Sequence, residues 1–320
     1  CASSLPTRWK KGSSEMLRSF RDILDRASLG GARRLVVPNP KEEDMPLLSE
    51  AAAAGLIFPC LVGDGEAIKS MIDESPLSEK EYEVIEENDR QPALNRALEV
   101  LNAHDGGIFM QGGIPIQNVL HALHDKTRGM IPKGGIMSFV SVFPPLKGEK
   151  LILVTDTYIN NHPSVAEKQQ ILTNALKLAR VLGIKVPKVA ALAAIEQVNP
   201  SIPSTLSAAI LSKMSERRQF GDAVVEGPLD IDCALSRAAA ERKGVNSIVT
   251  GEVDIYLVPE IDTGFLMAEA LVFFGKMKTA GVVMGTSKPV ILDLAFVSRE
   301  DRLARIALAC LLDGEGGSYG

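Results

Sequence analysis

Short apolar runs alternate with amphipathic segments along most of the chain, a pattern typical of strands followed by helices. Leu17, Phe20 and Leu24 share one helical face and predict a first helix. Ser164 and Glu167 form a capping box that predicts the start of a later one. Apolar runs predict strands at residues 35–37, 57–62, 82–85, 107–110, 136–142, 151–155, 188–195, 223–225, 255–258 and 289–292.

Strands that are apolar on both faces and joined by helices predict a parallel α/β sheet. In such sheets the turns at the carboxyl ends of the strands hold the ligand, because backbone N–H groups and helix N-termini converge there. Three turns of this kind are predicted at residues 226–228, 259–264 and 284–288. The substrate-binding residues expected there are Gly227, Pro228, Asp262, Thr263, Gly264, Thr286, Ser287 and Lys288.

Two consecutive strands around residue 147 indicate a passage into a second domain. We predict a first α/β domain from residues 16–147 and 288–320, and a second from residues 148–287. Residues 1–15 are polar and basic, so we interpret them as a disordered leader or a cloning remnant.

Charge and composition exclude several classes of protein. The net charge of −5 and the absence of a Lys/Arg-rich face argue against a nucleic-acid partner. No apolar run reaches the roughly 20 residues of a membrane span, so no membrane partner is expected. The four cysteines are scattered without a CxxC pair, which indicates reduced thiols and a cytoplasmic protein.

Few motifs in the chain carry chemistry by themselves. There is no Walker loop, no G-x-G-x-x-G and no Cys/His set with metal-ligand spacing, so no metal is predicted. Asp232 follows a predicted strand and is the candidate catalytic residue if it faces a cleft, although the helix dipole alone favours an acid there. Gln111 and Gly112 either present backbone N–H groups to an anion or form a tight turn.

Several segments resemble one known family. The run from Lys188 to Arg217, the sequence Glu226-Gly227-Pro228-Leu229 with Asp232, and Asp254-Ile255 with Leu257-Val258-Pro259 are similar to the phosphate acetyl/butyryl transferases. Thr155-Asp156, Pro163 and Lys168 match the same family. The likeness extends from Val36 to about Leu311 and is closest to the phosphate butyryltransferase branch.

The resemblance implies a two-domain fold like that of the isocitrate and isopropylmalate dehydrogenases, with a cleft between the domains. It also implies a homodimer formed through the second domain. The family transfers an acyl group between coenzyme A and inorganic phosphate. Acyl-CoA and phosphate are therefore the expected small-molecule partners, with coenzyme A as a substrate and no bound cofactor.

The chain departs from the family where an anion would bind. The family's Ser-Arg pair aligns with Leu294-Ala295, its Asn with Phe265 and the following Lys with Glu269. A Lys-Gly of the family is Gln111-Gly112 here. Each change removes a donor or a positive charge that would hold phosphate.

Two hypotheses follow from these departures. In the first, the protein is an acyltransferase whose anion site is rebuilt from Lys133, Ser287, Lys288 and backbone amides. In the second, it is a non-catalytic relative that binds coenzyme A or an acyl/phosphate ligand as a regulator or partner subunit. A dehydrogenase is a weaker third hypothesis, because the chain has no nucleotide fingerprint.

Overall fold

The computed structural model describes residues 15–128, 130–145, 150–294 and 299–314. It has an α/β fold with a large mixed β-sheet. The chain divides into two compact units: the first runs to Met130 and resumes at Ser287, and the second runs from Ile131 to Thr286. Ala295, which aligns with the family's Arg, lies outside the described residues, as does nearly all of the predicted leader.

In the part of the first unit that the structure describes, five parallel strands joined by helices form a sheet. The strands lie in the order β3-β2-β1-β4-β11. They are β1 (Arg33–Pro38), β2 (Ile57–Gly63), β3 (Glu83–Glu86), β4 (Ile108–Met110) and β11 (Val290–Ile291). The helices are α1 (Phe20–Ser28), α2 (Met45–Ala53), α3 (Gly65–Asp73), α4 (Arg90–Asn102), α5 (Ile116–His124) and α11 (Arg299–Gly314).

The described residues of the second unit form six strands in the order β10-β5-β6-β9-β7-β8. They are β5 (Ser138–Phe143), β6 (Ile152–Thr155), β7 (Lys188–Leu192), β8 (Val224–Leu229), β9 (Ile255–Leu257) and β10 (Ala280–Met284). The helices are α6 (Val165–Val181), α7 (Pro203–Glu216), α8 (Ile231–Leu235), α9 (Arg237–Arg242) and α10 (Ile261–Phe273).

The prediction of a parallel sheet is wrong for β5, which runs antiparallel to both of its neighbours, β6 and β10. Residues 144–151 connect β5 to β6, and they are fewer than the dozen or so that a crossover between parallel strands needs. The other strand pairs of the second unit, β6 with β9, β9 with β7 and β7 with β8, are parallel as predicted.

The predicted turn at residues 226–228 is also wrong, because Gly227 and Pro228 lie inside β8. The ladder between β7 and β8 shifts register near Gly227, between the pairs that Ala190 and Leu192 make. A β-strand accepts proline at such an irregularity. A Cβ on Gly227 would lie 2.5 Å from the Ala191 carbonyl oxygen, so glycine lets the two strands stay close. The turn therefore follows later, at Asp230.

Among the described residues, no helix combines the length and the apolar character that crossing a membrane requires.

Candidate functional site

The second unit contains a cleft of about 940 Å³, which we call the unit-2 cleft. It lies where β6, β7, β8 and β9 end, and the helices that follow these strands contribute their first turns to its wall. Its volume is within the range of about 300–1,000 Å³ found for small-molecule pockets. The polar residues that line it are His162, Lys168, Ser204, Ser207, Asp230, Glu260 and Thr263.

Three helices of thirteen residues or more begin at this cleft: α6, α7 and α10. Within the described structure, α7 and α10 have no side chain that caps their N-terminus. The first N–H groups of a helix have no partner inside the helix, and the helix dipole is positive at that end. Pro203, the first residue of α7, has no N–H, and the Ile261 N–H at the start of α10 donates to the Asn161 carbonyl, so donors for an anionic group would come from later residues of the two first turns.

Lys168 provides the cation of the cleft. It lies in the first turn of α6, which Ser164 and Glu167 fix through a reciprocal capping box. Its side chain is almost completely buried, with 7% exposure, although it lines the cleft. Burial lowers the pKa of Lys168, and the nearby carboxylate of Glu260 partly opposes that change. An anion that enters the cleft attracts a buried ammonium group more strongly than an exposed one, because the effective dielectric constant around a buried group is lower.

His162 and Glu260 form a polar pair at the same cleft. Nδ1 of His162 is 3.0 Å from Oε2 of Glu260, although 98 residues separate the two in the sequence. The backbone N–H of Ile261 donates to the Asn161 carbonyl at 3.1 Å, which ties the segment before α6 to the start of α10. This backbone contact brings the two residues together, although both side chains are exposed, His162 by 78% and Glu260 by 43%.

The rest of the cleft wall is apolar. Leu192 belongs to a buried cluster of the second unit, and Met267 packs against that cluster. Both line the cleft, together with Ile231 and the small side chains of Ala193 and Ala194. The cleft thus offers an apolar surface beside its charged groups, an arrangement that suits a ligand with a short hydrocarbon part.

An ionic cluster borders the cleft at α8. Nζ of Lys243 is 2.8 Å from Oε1 of Glu196 and 2.8 Å from Oδ1 of Asp232, and it also contacts Asp230. The hydrogen bond from Lys243 lowers the pKa of Glu196 to about 2. Burial alone would raise the pKa of Asp230, but the same ammonium group lowers it. The three carboxylates and the thiol of Cys233 lie close enough together to hold a metal ion. The carboxylates, however, already surround the ammonium group of Lys243.

Asp156 organises the loop between β6 and α6. Its Oδ1 accepts hydrogen bonds from the backbone N–H groups of Phe139, Tyr158 and Ile159, at 3.0–3.2 Å. Its Oδ2 accepts from the backbone and the side chain of Asn160. Burial raises the pKa of Asp156, and these donors oppose the effect. This carboxylate holds the loop that leads to His162 and Lys168.

Of the residues predicted for the site, Thr263 lines the unit-2 cleft. Asp262 and Gly264 lie beside it in the first turn of α10, where Asp262 is exposed. Asp232, the candidate catalytic residue, is paired with Lys243, and its neighbours Asp230 and Ile231 line the cleft.

The other predicted residues lie elsewhere. Lys133 is exposed in a turn before β5, and Thr286 is buried just after β10. Ser287 donates its N–H to the Met130 carbonyl, and Lys288 donates to the carbonyls of His104 and Asp105.

Gln111 and Gly112, also predicted to bind substrate, follow β4 in the first unit. The Gln111 side chain donates to the Ile114 carbonyl at 2.8 Å and accepts from the Asp293 N–H at 2.9 Å. Its amide thus joins the turn after β4 to the segment after β11.

Phe265, Glu269 and Leu294, which depart from the family pattern, interact with neighbouring side chains or are buried in the structure. Phe265 contacts Tyr158, with 5.9 Å between the ring centroids. Burial raises the pKa of Tyr158, and Glu269, which replaces a family Lys, raises it further. Leu294 is buried, and the preceding Asp293 pairs with Lys41 and Arg302.

The sequence did not assign His162 or Lys243 to a site, and Glu260 was predicted only as part of the turn at residues 259–264. His162 and Lys243 are exposed and Glu260 is half-buried, and only the tertiary fold brings the three residues together with their partners at the cleft. Lys168 did carry a signal, because it matches the resembled family, although the capping box beside it was sufficient to explain a helix start.

Gly264→Ala should lower the free energy of unfolding by about 1–3 kcal/mol, the usual cost of overpacking. A Cβ there would lie 2.3 Å from the Asp156 carbonyl oxygen and 2.9 Å from a Val258 methyl group. Gly65→Ala is the matched control: it is also in the first turn of a helix, and its nearest neighbour would be 3.6 Å away. Urea denaturation of both variants measures the difference. Equal stability would show that α10 does not approach Asp156 this closely.

Comparison with known proteins gives a consistent result. The family model described as "Phosphate acetyl/butaryl transferase" matches residues 115–310. A phosphate butyryltransferase from Clostridium acetobutylicum is 35% identical over 300 residues, which cover 93% of this chain and 99% of the relative. A phosphate acetyltransferase from Rickettsia felis is 32% identical, and the aligned region covers 93% of this chain and 84% of the relative.

Solved structures agree with the sequence relatives. A branched-chain phosphotransacylase from Enterococcus faecalis superimposes with a TM-score of 0.75 at 26% identity and covers 87% of this chain and 99% of its own. A phosphotransacetylase from Streptococcus pyogenes has a TM-score of 0.78 at 17% identity, covering 93% of this chain and 100% of its own, which shows a shared fold.

Proposed function

Because this chain belongs to the phosphate acetyl/butyryl transferase family, we propose that it transfers an acyl group between coenzyme A and inorganic phosphate. We place the reaction in the unit-2 cleft. The observation that carries this placement is the meeting of the buried Lys168 with two uncapped helix N-termini, those of α7 and α10.

The charged side of the cleft suits the phosphate. At about 4 Å, an ammonium group and one negative charge attract each other by roughly 4 kcal/mol in a partly shielded protein site. Helix N–H groups add hydrogen-bond donors for the oxyanion that forms when phosphate attacks the thioester carbonyl. These groups compensate for the family's Ser-Arg, Asn and Lys, which this chain lacks.

The apolar side suits the acyl chain. Leu192, Ile231 and Met267 provide a hydrocarbon surface next to the charged groups. The carbonyl carbon of a thioester bound there would face the phosphate. A short acyl chain such as acetyl or butyryl matches this division of the cleft.

Other properties extend the proposal. We propose a cytoplasmic homodimer that interacts through its second domain and uses coenzyme A as a substrate without a bound cofactor. The exposed apolar side chains of Leu266, Phe273 and Phe274 on and just after α10, which are 65%, 52% and 90% exposed, suit such a contact. The arrangement of the isocitrate and isopropylmalate dehydrogenases, with a cleft between domains, stays a prediction from the resemblance.

The test is release of the coenzyme A thiol from acetyl- and butyryl-coenzyme A, followed with a chromogenic reagent. We expect release to require phosphate and to saturate with it. Release that is equally fast without phosphate would indicate a hydrolase. Calorimetric binding of coenzyme A without release would support the non-catalytic relative, an alternative that the matched transferases do not favour.

A further inference from the structure

The first unit has a pocket of about 340 Å³ at the carboxyl ends of its parallel strands, which we call the unit-1 pocket. Four loops contribute to its wall: Asn39 follows β1, Asp64 follows β2, Asn88 follows β3 and Gly113 follows β4. The strand order β3-β2-β1-β4 is the one found in dinucleotide-binding sheets, where the ligand lies at the carboxyl ends of the strands. We infer that the unit-1 pocket binds a purine nucleoside with a free 2′,3′-diol. The inference is independent of the proposed acyl transfer.

Asp64 is the residue that suits the ribose. It is exposed, and its Oδ1 caps α3 by accepting the backbone N–H groups of Glu66 and Ala67 at 3.0 Å. The cap fixes the carboxylate and leaves Oδ2 to accept hydrogen bonds from a ligand. In sheets of this strand order, an acidic side chain after the second strand accepts from the ribose hydroxyl groups of the bound nucleotide.

The loops around the pocket are fixed by backbone contacts. The N–H of Asn39 donates to the Val62 carbonyl at 2.7 Å, and the Asn39 carbonyl accepts from the Gly113 N–H at 2.7 Å. A Cβ on Gly113 would lie 2.5 Å from the Asn39 carbonyl oxygen, so glycine allows this close approach. The ends of β1, β2 and β4 are therefore held together. Such a pre-formed site loses little affinity to the ordering of its loops.

The rest of the wall suits a purine ring. Met71 and the buried Ile68 on α3 provide an apolar surface, and a thioether packs well against an aromatic ring. Asn39 and Asn88 carry amides, each of which offers two donors and an acceptor. An asparagine amide matches the N6 donor and N7 acceptor of adenine. The pocket thus has an apolar surface for the face of the base and amides for its edge.

The charges of the pocket disfavour a phosphate on the ribose. Lys41 lines the pocket, but its ammonium group lies 2.6 Å from Oε1 of Glu43 and 2.9 Å from Oδ2 of Asp293. Carboxylates therefore already balance this cation, and Asp64 adds a negative charge. A 3′-phosphate such as that of coenzyme A would be repelled by Asp64. The chain also lacks the G-x-G-x-x-G loop that holds a pyrophosphate.

Isothermal titration calorimetry with adenosine tests the site, and Asp64→Asn is the main variant. Asparagine caps a helix about as well as aspartate, so α3 should stay folded. We expect adenosine to bind the unmodified protein, with a Kd that rises by about 10-fold or more in Asp64→Asn, because a charged acceptor is lost. Asp73→Asn is the matched control: Asp73 is an exposed acid at the end of the same helix, and its loss should leave the Kd unchanged.

Other ligands and a second variant identify the group that is recognised. 2′,3′-Dideoxyadenosine and adenosine 3′-phosphate should each bind about 10-fold more weakly than adenosine, and ribose alone should also bind more weakly. Ala67→Leu narrows the pocket without removing a polar side chain and should weaken adenosine binding as well. The KM for acyl-CoA should be the same in Asp64→Asn and the unmodified protein, because the unit-2 cleft is lined by different residues.

The outcomes separate this site from the proposed acyl transfer. Absence of adenosine binding, an unchanged Kd in Asp64→Asn, or ribose that binds as tightly as adenosine would overturn the inference. A raised KM for acyl-CoA in Asp64→Asn would also overturn it, because the pocket would then belong to the coenzyme A site. Phosphate-dependent thiol release by a protein that does not bind adenosine would leave acyl transfer intact.

Discussion

Lys168→Met should lower kcat/KM for phosphate by about 100-fold, which corresponds to roughly 2.7 kcal/mol of lost transition-state stabilisation. The substitution keeps the length and apolar character of a side chain that is 7% exposed, and it removes only the ammonium group. The KM for phosphate should rise more than the KM for acyl-CoA, because the cation contacts the anion. Steady-state kinetics with each substrate varied in turn measure both constants.

Lys168→Arg and Lys185→Met are the matched controls. Arginine keeps the charge and should retain part of the activity, although its planar group is larger. Lys185 is an exposed lysine after α6, and its loss should leave both KM values unchanged. Full activity in Lys168→Met would exclude this residue as the phosphate ligand and move the anion site elsewhere.

The pH dependence gives a second check on Lys168. Burial lowers the pKa of this residue, so its ammonium group loses its proton at a lower pH than an ordinary lysine. Phosphate binding should therefore weaken as the pH rises through that lowered pKa. Because arginine stays protonated throughout, Lys168→Arg should keep its remaining affinity at alkaline pH.

Asp156→Asn should lower the free energy of unfolding by about 3–5 kcal/mol, since hydrogen bonds to a charged acceptor contribute about 1.5–3 kcal/mol each. The carboxylate accepts from four backbone N–H groups and one side-chain amide. Asparagine keeps one acceptor oxygen and turns an NH2 group toward donors, so at least two of these bonds are lost. Urea denaturation followed by circular dichroism measures the change.

Asp222→Asn is the control for that measurement. Asp222 is exposed, and its ion pair with Arg218 is also exposed, so its loss should cost less than about 1 kcal/mol. If Asp156→Asn were no less stable than Asp222→Asn, the loop between β6 and α6 would not depend on this carboxylate. The placement of His162 and Lys168 would then need another cause.

The strands of the sheet were largely predictable from the sequence. Leu35, Val36 and Val37 are completely buried in β1, as a continuous apolar run in a parallel strand predicts. The helix start at Ser164 was equally clear, because Ser164 and Glu167 form the predicted capping box at the start of α6. Periodicity and capping are local properties, and local sequence is sufficient to show them.

Strand direction and the extent of β8 depended on tertiary structure. The antiparallel pairing of β5 with β10 joins segments that are far apart in the sequence, whereas its antiparallel pairing with β6 follows from the short connection at residues 144–151. Gly227 and Pro228 look like a turn by composition, yet the close approach of Ala191 keeps them in the strand. The pairing of β5 with β10 and the extent of β8 therefore cannot be read from a single segment.

The site was predictable only in part, for the same reason. The sequence predicted ligand-binding turns after strands of the second unit, and Thr263 of one such turn lines the cleft. It did not connect His162 with Glu260, or Lys243 with Glu196, because these partners are 98 and 47 residues apart. Lys133 and Lys288 were the lysines predicted for a rebuilt anion site, whereas Lys168 is the lysine that lines the cleft.

The most direct test of acyl transfer in this protein is detection of the acyl phosphate itself. Phosphorus NMR of a mixture of butyryl-coenzyme A, inorganic phosphate and the unmodified protein should show a new acyl phosphate signal. That signal should grow in equal amounts with free coenzyme A, and its rate should fall by about 100-fold with Lys168→Met. Free coenzyme A that appears without acyl phosphate, or an equal rate in the Lys168 variant, would contradict acyl transfer to phosphate in the unit-2 cleft.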